Sequence, residues 1–222
     1  MDPKMYNAVM NDDVDQLDRY TELFDNQVTR NHSTILHVAA HFGKLGCVAK
    51  ILEKKPCLIL QVNSNGENPL HIAVREQHYD VVEALLNGAR DLLQDPESRV
   101  PIRQQILRAT NEDGDTPLHL AVQEGDNSFV RFLVNQDLSF EHSPNKAGET
   151  PLYLAAERDQ GDSNHSMVES ILDCQSPAFT GPCGRTALHA AAISGNIGVL
   201  LAMSIFCNQL TYSASTIVDN DS

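Results

Sequence analysis

The hexapeptide Thr116-Pro-Leu-His-Leu-Ala121 decides the fold, because close copies of it recur along the chain. The copies are Thr34-Ile-Leu-His-Val-Ala39, Asn68-Pro-Leu-His-Ile-Ala73, Thr150-Pro-Leu-Tyr-Leu-Ala155 and Thr186-Ala-Leu-His-Ala-Ala191. Their first residues are spaced by 34, 48, 34 and 36 residues. Five matches in register predict tandem repeats, in which each small unit stacks on its neighbours.

The residues around each copy predict a turn followed by two helices. Glycine lies two residues before four of the five starts, where it allows a turn with positive φ, and His32 takes its place in the first copy. The Thr or Asn at each start is expected to cap an inner helix, often with Pro in its first turn. Apolar pairs four residues apart, such as Val81-Val82 and Leu85-Leu86, indicate an outer helix.

The sequence therefore predicts an all-α solenoid of stacked helix-turn-helix units joined by hairpin-like turns. We expect residues 1–30 to form an N-terminal capping helix pair without the hexapeptide. Five units are expected over residues 31–204, with an insertion at 90–110 in which Ile102 to Ala109 has the length of one or two helical turns. Residues 205–222 start no further unit and are expected to be a tail, partly disordered.

These repeats resemble the ankyrin family over nearly the whole chain. Two stretches are similar in sequence to plant membrane-associated ankyrin proteins of the accelerated-cell-death type. They are His32-Ser-Thr-Ile-Leu-His-Val-Ala-Ala-His-Phe-Gly43 and Gly184-Arg-Thr-Ala-Leu-His-Ala-Ala191. The resemblance implies binding of another protein and a part in defence signalling. That family typically adds more repeats and transmembrane helices with a Pro-Gly-Gly motif, which this sequence lacks. A truncated or spliced form and a likeness of the repeats alone both stay open.

Composition narrows the classes of partner. The net charge of −14 disfavours nucleic acid and anionic lipid, which need a basic surface.

The N-terminus has no signal-peptide pattern, and the longest apolar stretch, residues 197–207, is too short to span a bilayer. Five cysteines without a CxxC pair favour reduced thiols. We expect a cytoplasmic protein, or one held at the cytoplasmic face of the plasma membrane by a partner.

Candidate catalytic and metal-binding groups have simpler explanations. His37 and His41 have the spacing of a zinc-protease motif, but Val38 stands where that motif needs Glu. His37 also recurs at the same position of three other copies, which indicates a structural hydrogen bond. Cys174, Cys183 and His189 match no zinc spacing. We therefore expect no enzymatic activity, no cofactor and no metal.

The partner-binding surface is predicted by elimination. The turn tips and the ends of the inner helices vary from copy to copy, and in stacked units they line the concave side. Phe42 is either an apolar anchor for the partner or a side chain packed on the N-terminal helix pair. The predicted binding residues are His41, Phe42, Asn65, Glu67, Arg75, Glu76, Glu112, Asp113, Asp115, Gln123, Glu124, Lys146, Glu149, Glu157 and Arg158.

Two functions compete at this stage. The first is a non-catalytic adaptor in intracellular signalling, with plant defence as the setting that the resemblance implies. The second is a truncated regulatory form that joins longer membrane-bound relatives, or a second copy, through an uncapped C-terminal end. That end is expected to expose the apolar residues Ile197, Val199, Leu200 and Met203.

Overall fold

The computed structural model describes residues 1–91, 100–139, 142–158, 166–174 and 178–206. Within these ranges the chain forms helices and turns, and the β-structure there is limited to an isolated bridge between Thr180 and Thr186. The predicted all-α fold class is confirmed. The chain divides into two compact units, Met1–Ala121 and Val122–Ser222, which are described separately below.

The first unit is built from pairs of short helices. A single 3-10 turn follows the second helix at Thr21–Leu23, and another follows the fourth at Pro56–Leu60. In chain order the helices are α1 (Pro3–Met10), α2 (Val14–Asp18), α3 (Ile35–His41), α4 (Leu45–Lys54), α5 (Pro69–Arg75), α6 (Tyr79–Asp91), α7 (Ile102–Arg108) and α8 (Pro117–Glu124), whose last turn passes residue 121.

The second unit continues the same alternation of inner and outer helices. A 3-10 turn at Pro182–Gly184 precedes its last helix pair. The helices are α9 (Asn127–Gln136), α10 (Pro151–Arg158), α11 (Met167–Leu172), α12 (Ala187–Ser194) and a last helix, α13, over residues 197–206. No helix in the described ranges combines the length and the apolarity needed to cross a membrane.

Each inner helix begins one residue after the first residue of its hexapeptide, as predicted. Thr34 and Asn68 have extended backbone angles, and α3 and α5 start at the next residue. The backbone N–H of His71 donates to the Asn68 side chain at 3.0 Å, which satisfies one of the donors that a helix start leaves without a partner. Proline begins α5, α8 and α10, where a missing N–H costs nothing.

In α3 and α5, the histidine of the hexapeptide joins the inner helix to the following turn. In α3, Nδ1 of His37 accepts the Thr34 backbone N–H at 3.1 Å, and its Nε2 donates to the Glu67 carbonyl at 2.9 Å. His71 makes the same outward bond to the Asp115 carbonyl at 3.2 Å. Because a carbonyl can only accept, Nε2 carries the proton in both rings. The structural role predicted for these histidines is confirmed.

Tyr153 replaces the histidine in α10, and the following turn has changed with it. The Thr150 hydroxyl donates directly to the Thr180 carbonyl at 2.9 Å, so the link to the next turn persists without an imidazole. Gly181 stands where other turns have Asn, and a methyl group on it would overlap the Tyr153 ring. The φ of Gly181 is −150°, which any residue can adopt. Space, and not backbone freedom, therefore requires glycine here.

Small and aliphatic side chains make up most of the core between stacked helices. In the first unit α3 packs on α5 and α4 packs on α6. Leu36, Ala39, Leu70 and Ala73 are completely buried at the inner-helix contact. Alanine lets the helix axes approach closely, and the absence of tryptophan from the chain suits this spacing.

The insertion contributes one helix to the first unit. Ile102, Ile106 and Leu107 of α7 are buried, and α7 contacts α6 and the turn at Pro56–Leu60. The helix agrees with the pattern noted for Ile102 to Ala109. Residues 92–99 of the insertion and residues 207–222 of the predicted tail lie outside the described residues.

The apolar residues that are exposed at the C-terminal end differ from those that the sequence predicted. Val199 and Met203 are buried, because they occupy the inward positions of α13 that Val81 and Leu85 occupy in α6. Ile197 is 71% exposed, and Leu201 and Ile205 are also exposed. The prediction that Val199 and Met203 are exposed is therefore wrong.

The buried histidines predict a loss of stability in mild acid. Burial lowers the pKa of His71 to about 4 and also lowers the pKa of His37. As the pH falls below 6.5, the ordinary pKa of histidine, these rings become protonated in the unfolded chain but stay neutral in the folded chain. We expect the free energy of unfolding to drop by about 2 kcal/mol between pH 7 and pH 5 from His71 alone. Urea unfolding at the two pH values measures it.

Two variants serve as controls for that measurement. His189→Gln changes an exposed ring and should retain the pH dependence, whereas His71→Gln should remove a large part of it. Identical unfolding midpoints at pH 7 and pH 5 for the unaltered chain would show that these rings are not buried and neutral.

The contact between Tyr153 and Gly181 predicts coupled substitutions. Gly181→Ala should destabilise the second unit by about 1–3 kcal/mol, because the added methyl group overpacks against the ring. Tyr153→His in the same chain should recover part of this loss, since the smaller ring vacates the space. Denaturant unfolding of the four proteins in this double-mutant cycle gives the coupling energy. Purely additive effects would contradict the proposed fit.

Candidate protein-binding surface

An asparagine organises the backbone of each of three turns. In the first unit, the side-chain oxygen of Asn63 accepts the N–H groups of Asn65 and Glu67 at 2.9 and 3.0 Å. The backbone N–H of Asn63 donates to the Glu67 carbonyl at 2.9 Å and closes the turn. Asn111 and Asn145 make the same bonds. Each turn is thereby fixed from within, and its second and third residues are left at the surface.

Neighbouring turns of the first unit are also hydrogen-bonded to one another. The N–H of Ser64 donates to the Asn31 carbonyl at 2.9 Å, and that of Glu112 donates to the Asn65 carbonyl at 2.8 Å. His32 has a φ of +54°, at the position where the following turns have glycine with positive φ. The backbones of the three turn tips therefore form a continuous hydrogen-bonded ribbon.

An open groove lies in the first unit, between the turn tips and the inner helices. We call it the N-terminal groove, and its cavity has a volume of about 490 Å³. Side chains from α1, from two turns and from α3 and α5 line it. They are Tyr6, Thr29, Arg30, Asn31, Ser33, His37, Val38, His41, Phe42, Asn63, Asn65, Glu67, Ile72 and Arg75.

An ion pair between a buried carboxylate and a partly exposed guanidinium forms part of the groove wall. The carboxylate of Glu67 is paired with the Arg75 guanidinium, and its second oxygen accepts a hydrogen bond from the Asn63 amide at 2.9 Å. Burial by itself would raise the pKa of Glu67, but the hydrogen bonds from Asn63 and Arg75 outweigh it and hold that pKa below its ordinary value. The pair therefore stays ionised at neutral pH and fixes Arg75 against the turn.

Phe42 has the packing role that was one of its two alternatives from the sequence, and it also lines the groove. Its ring lies edge-on to Tyr6 of α1 with 5.9 Å between ring centroids, so it packs on the N-terminal helix pair. It is also half-buried and lines the groove. His41 contacts the same ring, and its Nδ1 lies 3.2 Å from the Glu76 carboxylate. An aromatic residue held on two sides presents a rigid apolar surface to a ligand.

The structure brings together only some of the predicted binding residues. His41, Phe42, Asn65, Glu67 and Arg75 line the N-terminal groove, and Glu76 contacts two of them. Glu112 and Asp113 are exposed at the third tip but do not line this cavity. In the second unit Glu124, Lys146, Glu157 and Arg158 are exposed, Gln123 and Glu149 are half-buried, and Arg158 donates to the Gln123 carbonyl at 2.7 Å.

Two predicted residues are corrected by their burial. Glu67 is 2% exposed and Asp115 is 7% exposed, although both had been placed at exposed tips. The last residue of the turn folds back under it, because its N–H bonds to the turn asparagine and its carbonyl accepts the preceding histidine. The Glu67 side chain bonds to Asn63 of its own turn, and the low exposure of both carboxylates leaves little of them for direct contact with a partner.

Several groove residues were missed by the sequence analysis. Arg30 and Asn31 occupy the tip positions of Ser64 and Asn65, but their turn has Thr29 and His32 instead of the Asn and Gly that mark the others. Their distance from Thr34, the first residue of the hexapeptide, identifies them, because Ser64 and Asn65 lie at the same distances before Asn68. Tyr6 belongs to the N-terminal helix pair, and no periodic pattern relates it to α3.

The described side chains form no group of three or more His, Cys, Asp or Glu that could hold a metal ion. Burial raises the pKa of Cys47 to about 12 and that of Cys174 to about 11, so both thiols stay protonated. The N-terminal groove presents hydrogen-bonding amides, the guanidinium groups of Arg30 and Arg75, and an aromatic surface.

The ion pair in the groove wall predicts a repairable loss of stability. Arg75→Gln, which installs the residue that α8 has at the same position, should cost about 1–2 kcal/mol because it leaves the Glu67 carboxylate buried without its cation. The cost stays moderate because Arg75 is partly exposed. Adding Glu67→Gln should restore most of it in denaturant unfolding. A double variant that is less stable than Arg75→Gln alone would rule out this explanation.

Comparisons with known proteins agree with the helical repeats. The family model for ankyrin repeats (3 copies) matches residues 5–95 and 99–176. The curated protein ACCELERATED CELL DEATH 6 of Arabidopsis thaliana is 29% identical over 177 residues, which cover 78% of this chain but only 26% of that relative. The chain thus spans about a quarter of the relative's length.

Solved structures support the same fold. An ankyrin repeat domain from Acinetobacter baumannii superposes with a TM-score of 0.74 at 21% identity, covering 91% of this chain and 96% of that one. The human ASB11 ankyrin repeat domain gives a TM-score of 0.65 at 23% identity, with 93% and 84% covered. Identities this low show the fold alone. Together with the family model, the hexapeptide turns and the histidine bridges show that this chain belongs to the ankyrin-repeat family, whose repeats are scaffolds for binding other proteins.

Proposed function

We propose that the chain is a non-catalytic adaptor in plant defence signalling, and that it binds its partner protein through the N-terminal groove. The groove's composition carries the proposal, because a pocket of about 490 Å³ with a rigid aromatic wall is the size and type that takes one or two side chains of a ligand. The defence setting is supported by the likeness to ACCELERATED CELL DEATH 6. We place the adaptor in the cytoplasm, or at the cytoplasmic face of the plasma membrane through its partner.

The groove favours an extended segment of the partner. Asn31 and Asn65 present amide side chains along the rim, where they can bond to a peptide backbone. Tyr6, Phe42 and Ile72 provide an apolar site for one anchoring side chain. An anchor held between aromatic groups at the centre of a groove is the usual form of an energetic hot spot.

Charge adds a preference within that segment. Arg30 is exposed at the groove rim, whereas Arg75 is already balanced by Glu67. Arg30 therefore adds a positive charge at the rim of the groove in a chain of net charge −14. We expect an acidic residue next to the apolar anchor of the bound segment. Glu112 and Asp113, exposed at the third tip, would attract basic residues elsewhere on the partner and speed its approach.

Matched charge reversals test the proposal. Arg30→Glu alters the groove rim, and Arg19→Glu makes the same change at an exposed arginine beyond α2 that does not line the groove. A partner recovered from leaf extract on the immobilised chain should be depleted at least tenfold by Arg30→Glu or Phe42→Ala and retained by Arg19→Glu. Quantitative mass spectrometry measures the recovery, and thermal melts confirm that the variants are folded.

One outcome would contradict the proposal. A specific partner that binds all three folded variants as well as the unaltered chain would place the binding site elsewhere on the repeats.

A further inference from the structure

The last helix, α13, has apolar residues at positions where the other outer helices carry polar or small ones. The residue after the second buried position is Ala49 in α4, Glu83 in α6, Arg131 in α9 and Glu169 in α11, and all four are exposed. The same position of α13 is Leu201, which is 59% exposed. One turn later the others have Glu53, Asn87, Asn135 and Asp173, whereas α13 has Ile205, 58% exposed.

These residues form a continuous stripe. Ile197, Leu201 and Ile205 are spaced by four, so they share one face of the helix. Val199 and Met203 face the core, which makes α13 apolar on both sides. A helix that is apolar all round is normally covered. Stacking of a further repeat would not cover this stripe, because the equivalent residues of α4 and α6 stay exposed beneath the repeats that follow them in the first unit.

The end that carries the stripe is also without fixed charge. Residues 186–206 contain no Asp, Glu, Lys or Arg, although the whole chain has a net charge of −14. Two such surfaces approach each other without the like-charge repulsion that other parts of the chain would impose. A helix that lies on an anionic membrane has Lys and Arg on its polar face, and α13 has none. Charge thus favours a second protein surface of the same kind over lipid.

We propose that the chain forms a two-fold homodimer through the α13 stripe, defined as Ile197, Leu201 and Ile205. Ile197 and Ile205 lie four residues on either side of Leu201, so the stripe reads the same in both directions. Two antiparallel copies therefore place Leu201 against Leu201 at the axis and Ile197 against Ile205 of the second copy. Gly198 and Ala202 lie beside the stripe and let the helices approach closely. This arrangement satisfies the rule of a two-fold interface, in which residue i of one copy contacts residue j of the other and j contacts i.

The substitutions that test the dimer copy residues that another outer helix of this chain has at the equivalent positions. Leu201→Glu and Ile205→Asn give α13 the residues Glu83 and Asn87 that α6 has at the same positions, so they should not disturb folding. Val62→Glu is the matched control, since it places a charge at an apolar residue that is 52% exposed in the first unit. Circular dichroism and thermal melts of each full-length variant verify the fold.

Sedimentation equilibrium of the full chain over a wide concentration range gives the mass and the dissociation constant. We expect the unaltered chain and Val62→Glu to reach the dimer mass at high concentration. The double variant should stay monomeric or dissociate at least tenfold more readily.

Three outcomes would overturn the proposal. They are a monomeric unaltered chain at the highest concentration, a dimer whose dissociation constant is unchanged in the double variant, and α13-dependent binding of a monomeric chain to phosphatidylserine vesicles. None of these bears on the N-terminal groove, whose variants lie in the first unit.

Discussion

The structure depends on a neutral imidazole that joins one helix start to the next turn. In His37 and His71 one ring nitrogen faces the first residue of the inner helix, and the other donates to a carbonyl of the following turn. The ring must be buried to exclude water and uncharged to make both bonds, and burial lowers its pKa accordingly. Because the bond fixes where the next turn lies, it also sets the spacing at which inner helices stack. Tyr153 shows that the link can be kept by another group when the turn adapts.

That constraint determines which residues remain for function. The Leu, His and Ala of each hexapeptide are used inside the stack, and the turn asparagine is used within its own loop. The second and third residues of each turn and the ends of the inner helices are left to face a partner. In the first unit Arg30, Asn31 and Phe42 are such residues, and the ion pair of Glu67 and Arg75 stabilises the wall behind them. Recognition and stability are thus divided between neighbouring positions of the same turn.

Much of this was predictable from sequence, because the repeat fixes the register. The start of each inner helix, the role of the histidines and five of the fourteen residues that line the groove follow from aligning the hexapeptides. The errors arise where a side chain's direction decides the outcome. Glu67 and Asp115 were assigned to the surface because no pattern shows that the last turn residue folds inward. Val199 and Met203 were misassigned because the whole of α13 is apolar, so hydrophobicity alone could not distinguish its inward face from its outward face.

The protonation of the bridging rings tests the central interaction directly. Long-range ¹⁵N–¹H correlation spectra of the histidine side chains distinguish the two neutral tautomers from the charged ring. At pH 7, His37 and His71 should both appear neutral with the proton on Nε2, and their ring N–H signals should exchange slowly with water. A charged ring at this pH, or a proton on Nδ1 with Nε2 free, would contradict the account, because neither form can accept at the helix start and donate to the next turn.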